Sequence, residues 1–149
     1  MRPTILAMDL EGTLISNAVS QIPRPGLFAF LEAMRIKFSQ LVLFTTVPES
    51  RVREICRLLV AEGVAPSWFG KLHYVSWYGP TKYLRFVTSH AGEALLLDDH
   101  APYVHPGQEC WWVEVPLFGS PYANDDTGLD LARLRIDERL AQLSLGGGH

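Results

Sequence analysis

The stretch Thr4-Ile5-Leu6-Ala7-Met8-Asp9-Leu10-Glu11-Gly12-Thr13-Leu14 constrains the chain more than any other. An unbroken apolar run ends there in two carboxylates, a glycine and a threonine. Successive apolar residues present hydrophobic surface to both faces of a strand, which suits the buried interior of a parallel sheet. Open α/β sheets bind ligands beyond the carboxyl ends of their strands, where Asp9 and Glu11 fall. Gly12 lets the backbone turn sharply and approach a ligand closely. A carboxylate in such a place can act as a nucleophile toward phosphorus. The competing reading is a strand followed by an acidic turn that caps a helix.

The same design recurs along the chain. Leu41 to Phe44 form a second apolar run closed by Thr45-Thr46, and Val47-Pro48-Glu49-Ser50 then opens a helix with Val52, Ile55, Cys56, Leu59 and Val60 at helical spacing. A hydroxyl at a strand end followed by a helix amino terminus suits an oxyanion, with Thr45 preferred over Thr46. Glu93 to Leu97 lead into Asp98-Asp99. Between these runs, Pro23-Arg24-Pro25-Gly26 introduces a helix with Leu27, Phe30, Leu31 and Met34 on one face. Gly63 stops the second helix, Leu72 to Val75 suit a third strand, and Thr81 to Phe86 suit the start of another helix. Cys110 to Val115 suit the last strand. Asn124 to Thr127 cap a final helix with Leu129, Leu131, Leu134, Ile136, Leu140 and Leu143 as its apolar set. Asp125 and Asp126 are expected as cap acids favoured by the helix dipole. Strands alternating with helices predict a three-layer, Rossmann-like α/β domain, with a mainly parallel sheet and helices on both faces. One domain over residues 1–145 is expected, with 146–149 as a disordered tail.

Composition narrows the partners. A net charge of −3 leaves no basic footprint for nucleic acid, so a phosphate-binding chain must concentrate its few cations at the site. The two cysteines, Cys56 and Cys110, lack metal-ligand spacing. No signal-peptide pattern and no apolar run of about 20 residues is present, so a cytoplasmic setting without membrane contact is expected. Among the scattered histidines only His100, beside the acids, stands near the candidate site, and an ordinary loop histidine is the favoured reading.

Asp9-Leu10-Glu11-Gly12-Thr13 resembles the first signature of the haloacid dehalogenase superfamily, Asp-x-Asp-Gly-Thr, with Glu11 in place of the second Asp, as also occurs in the enolase-phosphatase branch. Thr45, Lys82 and Asp98-Asp99 resemble the second, third and fourth motifs. Arg24-Pro25-Gly26-Leu27, Phe44-Thr45, Thr81-Lys82-Tyr83-Leu84, Leu97-Asp98-Asp99-His100-Ala101-Pro102 and Asp126-Thr127-Gly128-Leu129 are similar to stretches of the NLI-interacting-factor, or RNA polymerase C-terminal-domain phosphatase-like, branch. That branch carries Asp at the position of Glu11 and Asn at that of Asp99. The resemblance implies a phosphorylated substrate, an aspartyl-phosphate on Asp9, and Glu11 as general acid and base. It further implies that Thr45 and Lys82 hold the phosphoryl oxygens, and that Mg²⁺ is bound by Asp9, the carbonyl of Glu11, and Asp98 or Asp99. Residues 15–22 correspond to the superfamily's flap, and the short intervals Leu14–Leu41 and Gly63–Thr81 leave no room for a lid domain. The implied activity is phosphomonoester hydrolysis. A silent phosphate- or phosphopeptide-binding module and a phosphotransferase are the alternatives, and oligomeric state and substrate stay open.

Overall fold

The computed structural model describes residues 2–146. Its centre is β1 (Ile5–Met8), buried at every position. The other strands are β2 (Gln40–Leu43), β3 (His73–Tyr74), β4 (Ala94–Asp98) and β5 (Trp112–Glu114), and all neighbouring pairs are parallel in the order β3-β2-β1-β4-β5. Met8 pairs with Leu43 on one side and Leu97 on the other, so the three central strands end in step. The chain therefore has the expected Rossmann-like α/β fold.

Among the described residues the α-helices are α1 (Leu27–Lys37), α2 (Glu49–Ala61) and α3 (Gly128–Gly146). All three pack on one face of the sheet, against Leu6, Met8, Leu41, Leu43, Leu95, Leu97 and Val113. The opposite face, built from Ile5, Ala7, Val42, Phe44, Ala94 and Leu96, is covered by Leu84, Trp77, Phe86, Val87, Val104 and Trp111. These come from loops and short 3₁₀ turns, so the expectation of helices on both faces is corrected: among the described residues the second covering layer has no α-helix.

Topology and composition together explain this. Right-handed crossovers put α1 and α2 on one face as the chain steps outward from β1 to β3. The return to β4 and β5 runs in the other direction, so its connections fall on the other face. Those connections carry Gly79-Pro80, Gly92, Pro102 and Pro106-Gly107, with φ of 91°, 84° and 89° at the three glycines, and such residues break helices. The helix expected from Thr81 is thus a single 3₁₀ turn, Leu84–Phe86, and Lys82 instead lies in an isolated parallel bridge to Val104.

Smaller differences follow the same logic. The last strand starts at Trp112, after a 3₁₀ turn at Glu109–Trp111. On α3 the buried stripe is Leu129, Ala132, Ile136 and Leu140, whereas Leu134 is 61% exposed because it lies off that 3–4 spacing. Gly146, assigned to the tail, belongs to α3, and residues 147–149 lie outside the described residues. The interval before β2 holds a loop and α1, and the interval after α2 holds a 3₁₀ turn and β3, so neither folds into a lid. No helix is long and apolar enough to cross a membrane among the described residues.

One buried ion pair locks the first motif to α3. The fully buried Arg24 side chain donates through Nε to Asp126 Oδ1 at 2.7 Å and through Nη1 to the carbonyl of Thr13 at 3.2 Å. Asp126 Oδ1 also accepts from Gly128 N at 3.0 Å and so caps α3, as expected of a cap acid. A Cβ on Gly128 would stand 1.8 Å from Arg24 Nη2, so only glycine fits beneath the guanidinium. Burial alone raises the Asp126 carboxyl, but Arg24 and the Gly128 N–H outweigh it and hold it below the ordinary 3.8.

Asp126→Asn strands the buried guanidinium and is expected to cost about 3 kcal/mol at pH 7. A lowered native pKa stabilises above the ordinary value and is lost as pH falls through the native one. The gap between wild type and Asp126→Asn in urea unfolding should therefore narrow below about pH 3.8.

Candidate active site

Side chains alternate in direction along a strand, so Ile5, Ala7 and Asp9 share one face, as do Leu96 and Asp98. That is the face covered by the irregular layer. Asp9 continues the ladder beyond β1 by donating its N–H to the carbonyl of Leu97 at 2.9 Å, which brings its side chain beside Asp98. Lys82 enters from the irregular layer and completes the cluster. Its Nζ donates to Asp9 Oδ1 at 2.9 Å and to Asp98 Oδ2 at 2.6 Å, with the lysine side chain fully buried. The Lys82 backbone is fixed by its N–H to Tyr103 O at 2.7 Å, and Nζ lies 5.0 Å from the Tyr103 ring centre. The other oxygen of Asp98 accepts from His100 N at 2.9 Å.

Asp99 points elsewhere because it is the next residue on. Its Oδ1 lies 3.0 Å from Thr13 Oγ1, which is also 3.0 Å from Asp9 Oδ2, so one hydroxyl sits between two carboxylates. Gly12 makes this approach possible. Its φ is 74°, and a Cβ there would stand 2.9 Å from Asp99 Oδ2 and 2.7 Å from Leu117 Cδ1.

Two buried carboxylates share a single ammonium, and burial is the largest single influence on the protonation of all three groups. Burial pushes Asp9 well above its ordinary range; Lys82 opposes that and Asp98 reinforces it. Burial likewise raises Asp98 against the pull of Lys82 and the His100 N–H. For Lys82 burial disfavours the charge, but the two carboxylates outweigh it and the ammonium is held more firmly than usual.

Asp9, Asp98 and Asp99 each offer an oxygen within 4.8 Å of the others. An all-oxygen donor set with surplus negative charge fits a hard cation such as Mg²⁺. The three are not equivalent. Both oxygens of Asp98 and of Asp9 are engaged, but Asp98 is fully buried whereas Asp9 and Asp99 border a cleft of about 280 Å³.

That cleft is also lined by Glu11, Gly12, Ser16, Thr46, His100, Tyr103 and Leu117. Glu11 Oε2 accepts from Ala18 N at 2.6 Å. Thr45 is buried, its hydroxyl accepting from Val47 N at 3.1 Å and its carbonyl from Trp77 Nε1 at 2.8 Å. Thr46 is the exposed member of the pair. The structure thus unites Asp9, Lys82, Asp98 and Asp99, sets Glu11 in the same cleft, and leaves Thr45 without a hydrogen bond to the cluster. A hollow of similar size between β5 and α3 is lined by Glu109, Glu114, Glu138, Arg135 and Arg139, and its two arginines donate to backbone carbonyls.

Sequence reasoning quoted Thr13 and Arg24 within motif stretches but gave neither a role, and it missed Tyr103. Thr13 had a further signal, a hydroxyl one residue after the turn glycine. Tyr103 had none, because it acts across the fold. No protein-family model matches this chain, and no curated protein matches its sequence.

Lys82→Met leaves Asp9 and Asp98 buried without a counter-charge. The expected loss is about 3–5 kcal/mol at pH 7. A native carboxyl pKa raised above the unfolded value makes ionisation destabilising, so stability is regained as pH falls through the native value. Urea unfolding of Lys82→Met should show a smaller deficit at pH 5 than at pH 7.

Proposed function

We propose that this chain is a Mg²⁺-dependent phosphomonoester hydrolase of the haloacid dehalogenase type, acting through an aspartyl-phosphate on Asp9. One observation carries the reading: a buried aspartate at the carboxyl end of the central parallel strand shares an ammonium with a second aspartate, and opens with a third onto a cleft.

Lys82 holds Asp9 Oδ1 and fixes the carboxylate, leaving Oδ2 on the side of Thr13 and Asp99. An oxygen of Asp9 attacks phosphorus in line, the phosphorus–ester bond breaks, and the electron pair leaves with the ester oxygen. Glu11 gives that oxygen its proton. Glu11 then takes a proton from water, whose oxygen attacks the phosphorus and releases Asp9 as carboxylate. Asp9, Asp99 and the carbonyl of Glu11 would hold Mg²⁺, while Asp98 anchors Lys82. When bound, the ion offsets repulsion between carboxylate and phosphate and polarises the phosphoryl group. At the end of β2 the Thr45 hydroxyl, whose oxygen accepts from Val47, keeps its hydrogen for a phosphoryl oxygen, and Thr46 opens onto the cleft beside it.

Phosphate release from p-nitrophenyl phosphate with Mg²⁺ should be abolished by Asp9→Asn. Glu11→Gln should lose roughly 10²–10⁴-fold in kcat and accumulate phospho-Asp9. Full turnover by Asp9→Asn, with deamidation excluded by mass spectrometry, overturns the proposal.

Calorimetric Mg²⁺ titration tests the ligand assignment separately. Asp99→Asn should weaken binding by at least about tenfold, within the range set by losing a metal-site partner, and more than Asp98→Asn does. The reverse order would make Asp98 the ligand.

A further inference from the structure

Glu11 is held from outside the motif. The loop 16–22 supplies the Ala18 N–H that donates to Glu11 Oε2 at 2.6 Å. The carbonyl of the same residue accepts from Arg51 Nε at 3.0 Å and from Arg51 Nη2. Arg51 Nη2 also donates to Gln21 Oε1 at 2.9 Å, so one guanidinium grips the loop at two residues. Gln21 has φ of 38°, a conformation that needs support in a residue with a Cβ.

The remaining hydrogen bonds of the loop's side chains are nearly all internal. Asn17 Oδ1 accepts from Val19 N and Ser20 N, and Ser16 Oγ accepts from Ile22 N. Beyond Arg51 and Glu11, the side-chain tether of the loop tip is Asn17 Nδ2 to Tyr122 Oη at 3.1 Å. Arg51 is itself rigidly based. It lies in the first turn of α2, and Val52, Ile55, Cys56 and Leu59 bury that helix against the sheet. A surface arginine that served only its i,i+3 pair with Glu54 would use one nitrogen; here the others are aimed at the loop.

We infer that Arg51 is a positioning residue: it fixes Ala18 so that the Ala18 N–H holds the Glu11 carboxylate at the cleft. The inference rests on the acid/base reading of Glu11. Nucleophile, metal ligands and lysine all come from strand ends and the irregular layer. The acid/base carboxylate is instead held by loop 16–22, and Arg51 transfers the rigidity of α2 to that loop. The longer side chain of Glu11 makes this necessary, because a carboxylate on an extra methylene has one more torsion to fix.

The test compares Arg51→Met, Arg51→Lys, Glu11→Gln and the double variant Arg51→Met/Glu11→Gln on p-nitrophenyl phosphate with Mg²⁺, with thermal melting as the check on folding. Arg51→Met should lower kcat by roughly 10–10²-fold, the scale of an ångström-level misplacement, with KM within about twofold. Arg51→Lys should recover part of the loss, since an ammonium can still donate to the Ala18 carbonyl. In the Glu11→Gln background the Arg51 substitution should cost nothing further, because the two act through one carboxylate. Amide hydrogen exchange should show the Ala18 N–H protected in wild type and exposed in Arg51→Met. A loss that adds to that of Glu11→Gln, or a folded Arg51→Met with wild-type kcat beside a slow Glu11→Gln, overturns the inference alone. So does unchanged protection of Ala18. Wild-type kcat in Glu11→Gln overturns the acid/base reading, and this inference with it.

Discussion

The ammonium of Lys82, buried between Asp9 and Asp98, is the interaction on which the arrangement depends. Burying a charge is costly unless it is paired and hydrogen-bonded, and this one is held by two carboxylates on adjacent strands at 2.9 and 2.6 Å. Lysine suits the place because a compact point charge can be shared between two partners that do not form one planar fork. The same residue ties the helix-free layer to the sheet, through its backbone bond to Tyr103 and its bridge to Val104. Removing it would unpair two acids and loosen the wall of the cleft together.

That layer also explains why so many aromatics cluster between Trp77 and Trp112. A loop laid over a sheet must cover apolar surface without a helix to do it, and rings cover much area with few residues. Phe44, Trp77 and Tyr103 meet edge to face at 5.6 and 6.2 Å. Two tryptophans have a second use. Trp77 Nε1 donates to the carbonyl of Thr45, just past the end of β2, and Trp112 Nε1 to that of Asp98, which also accepts from Val115 N at 3.3 Å. The Thr45 carbonyl belongs to a buried residue, so an indole completes the hydrogen bonding at the strand end beside Asp9.

The first motif is closed from a distance. Arg24 and Asp126 stand 102 residues apart, yet together they clamp the carbonyl of Thr13 and the start of α3. Gly12 and Gly128 are required for the same reason in two forms: each leaves room for a polar group, Asp99 in one case and Arg24 in the other. Rigid packing of this sort keeps Asp9 and its neighbours in a fixed geometry, which is what a site of this charge density needs.

The sequence by itself determined the parallel core and the edge at which acids collect, because runs such as Ile5–Met8 and Ala94–Leu97 are apolar at every position and end in carboxylates. Period-two alternation also sends the side chains of Asp98 and Asp99 to opposite faces, but it leaves open which of them meets Asp9. Only the tertiary structure decided three further matters. The handedness of the return crossover, with glycine and proline in the connections, decided that Lys82 arrives on a loop and not on a helix. The register of β1 against β4 decided that Asp9 and Asp98 share that one cation while Asp99 borders the cleft. Contacts between segments far apart in the chain decided how Glu11 is held, because Ala18 and Arg51 meet it only after loop 16–22 has folded against α2. Local pattern encodes which residues are buried and which way they point; it does not encode which distant partner fills the space they point into.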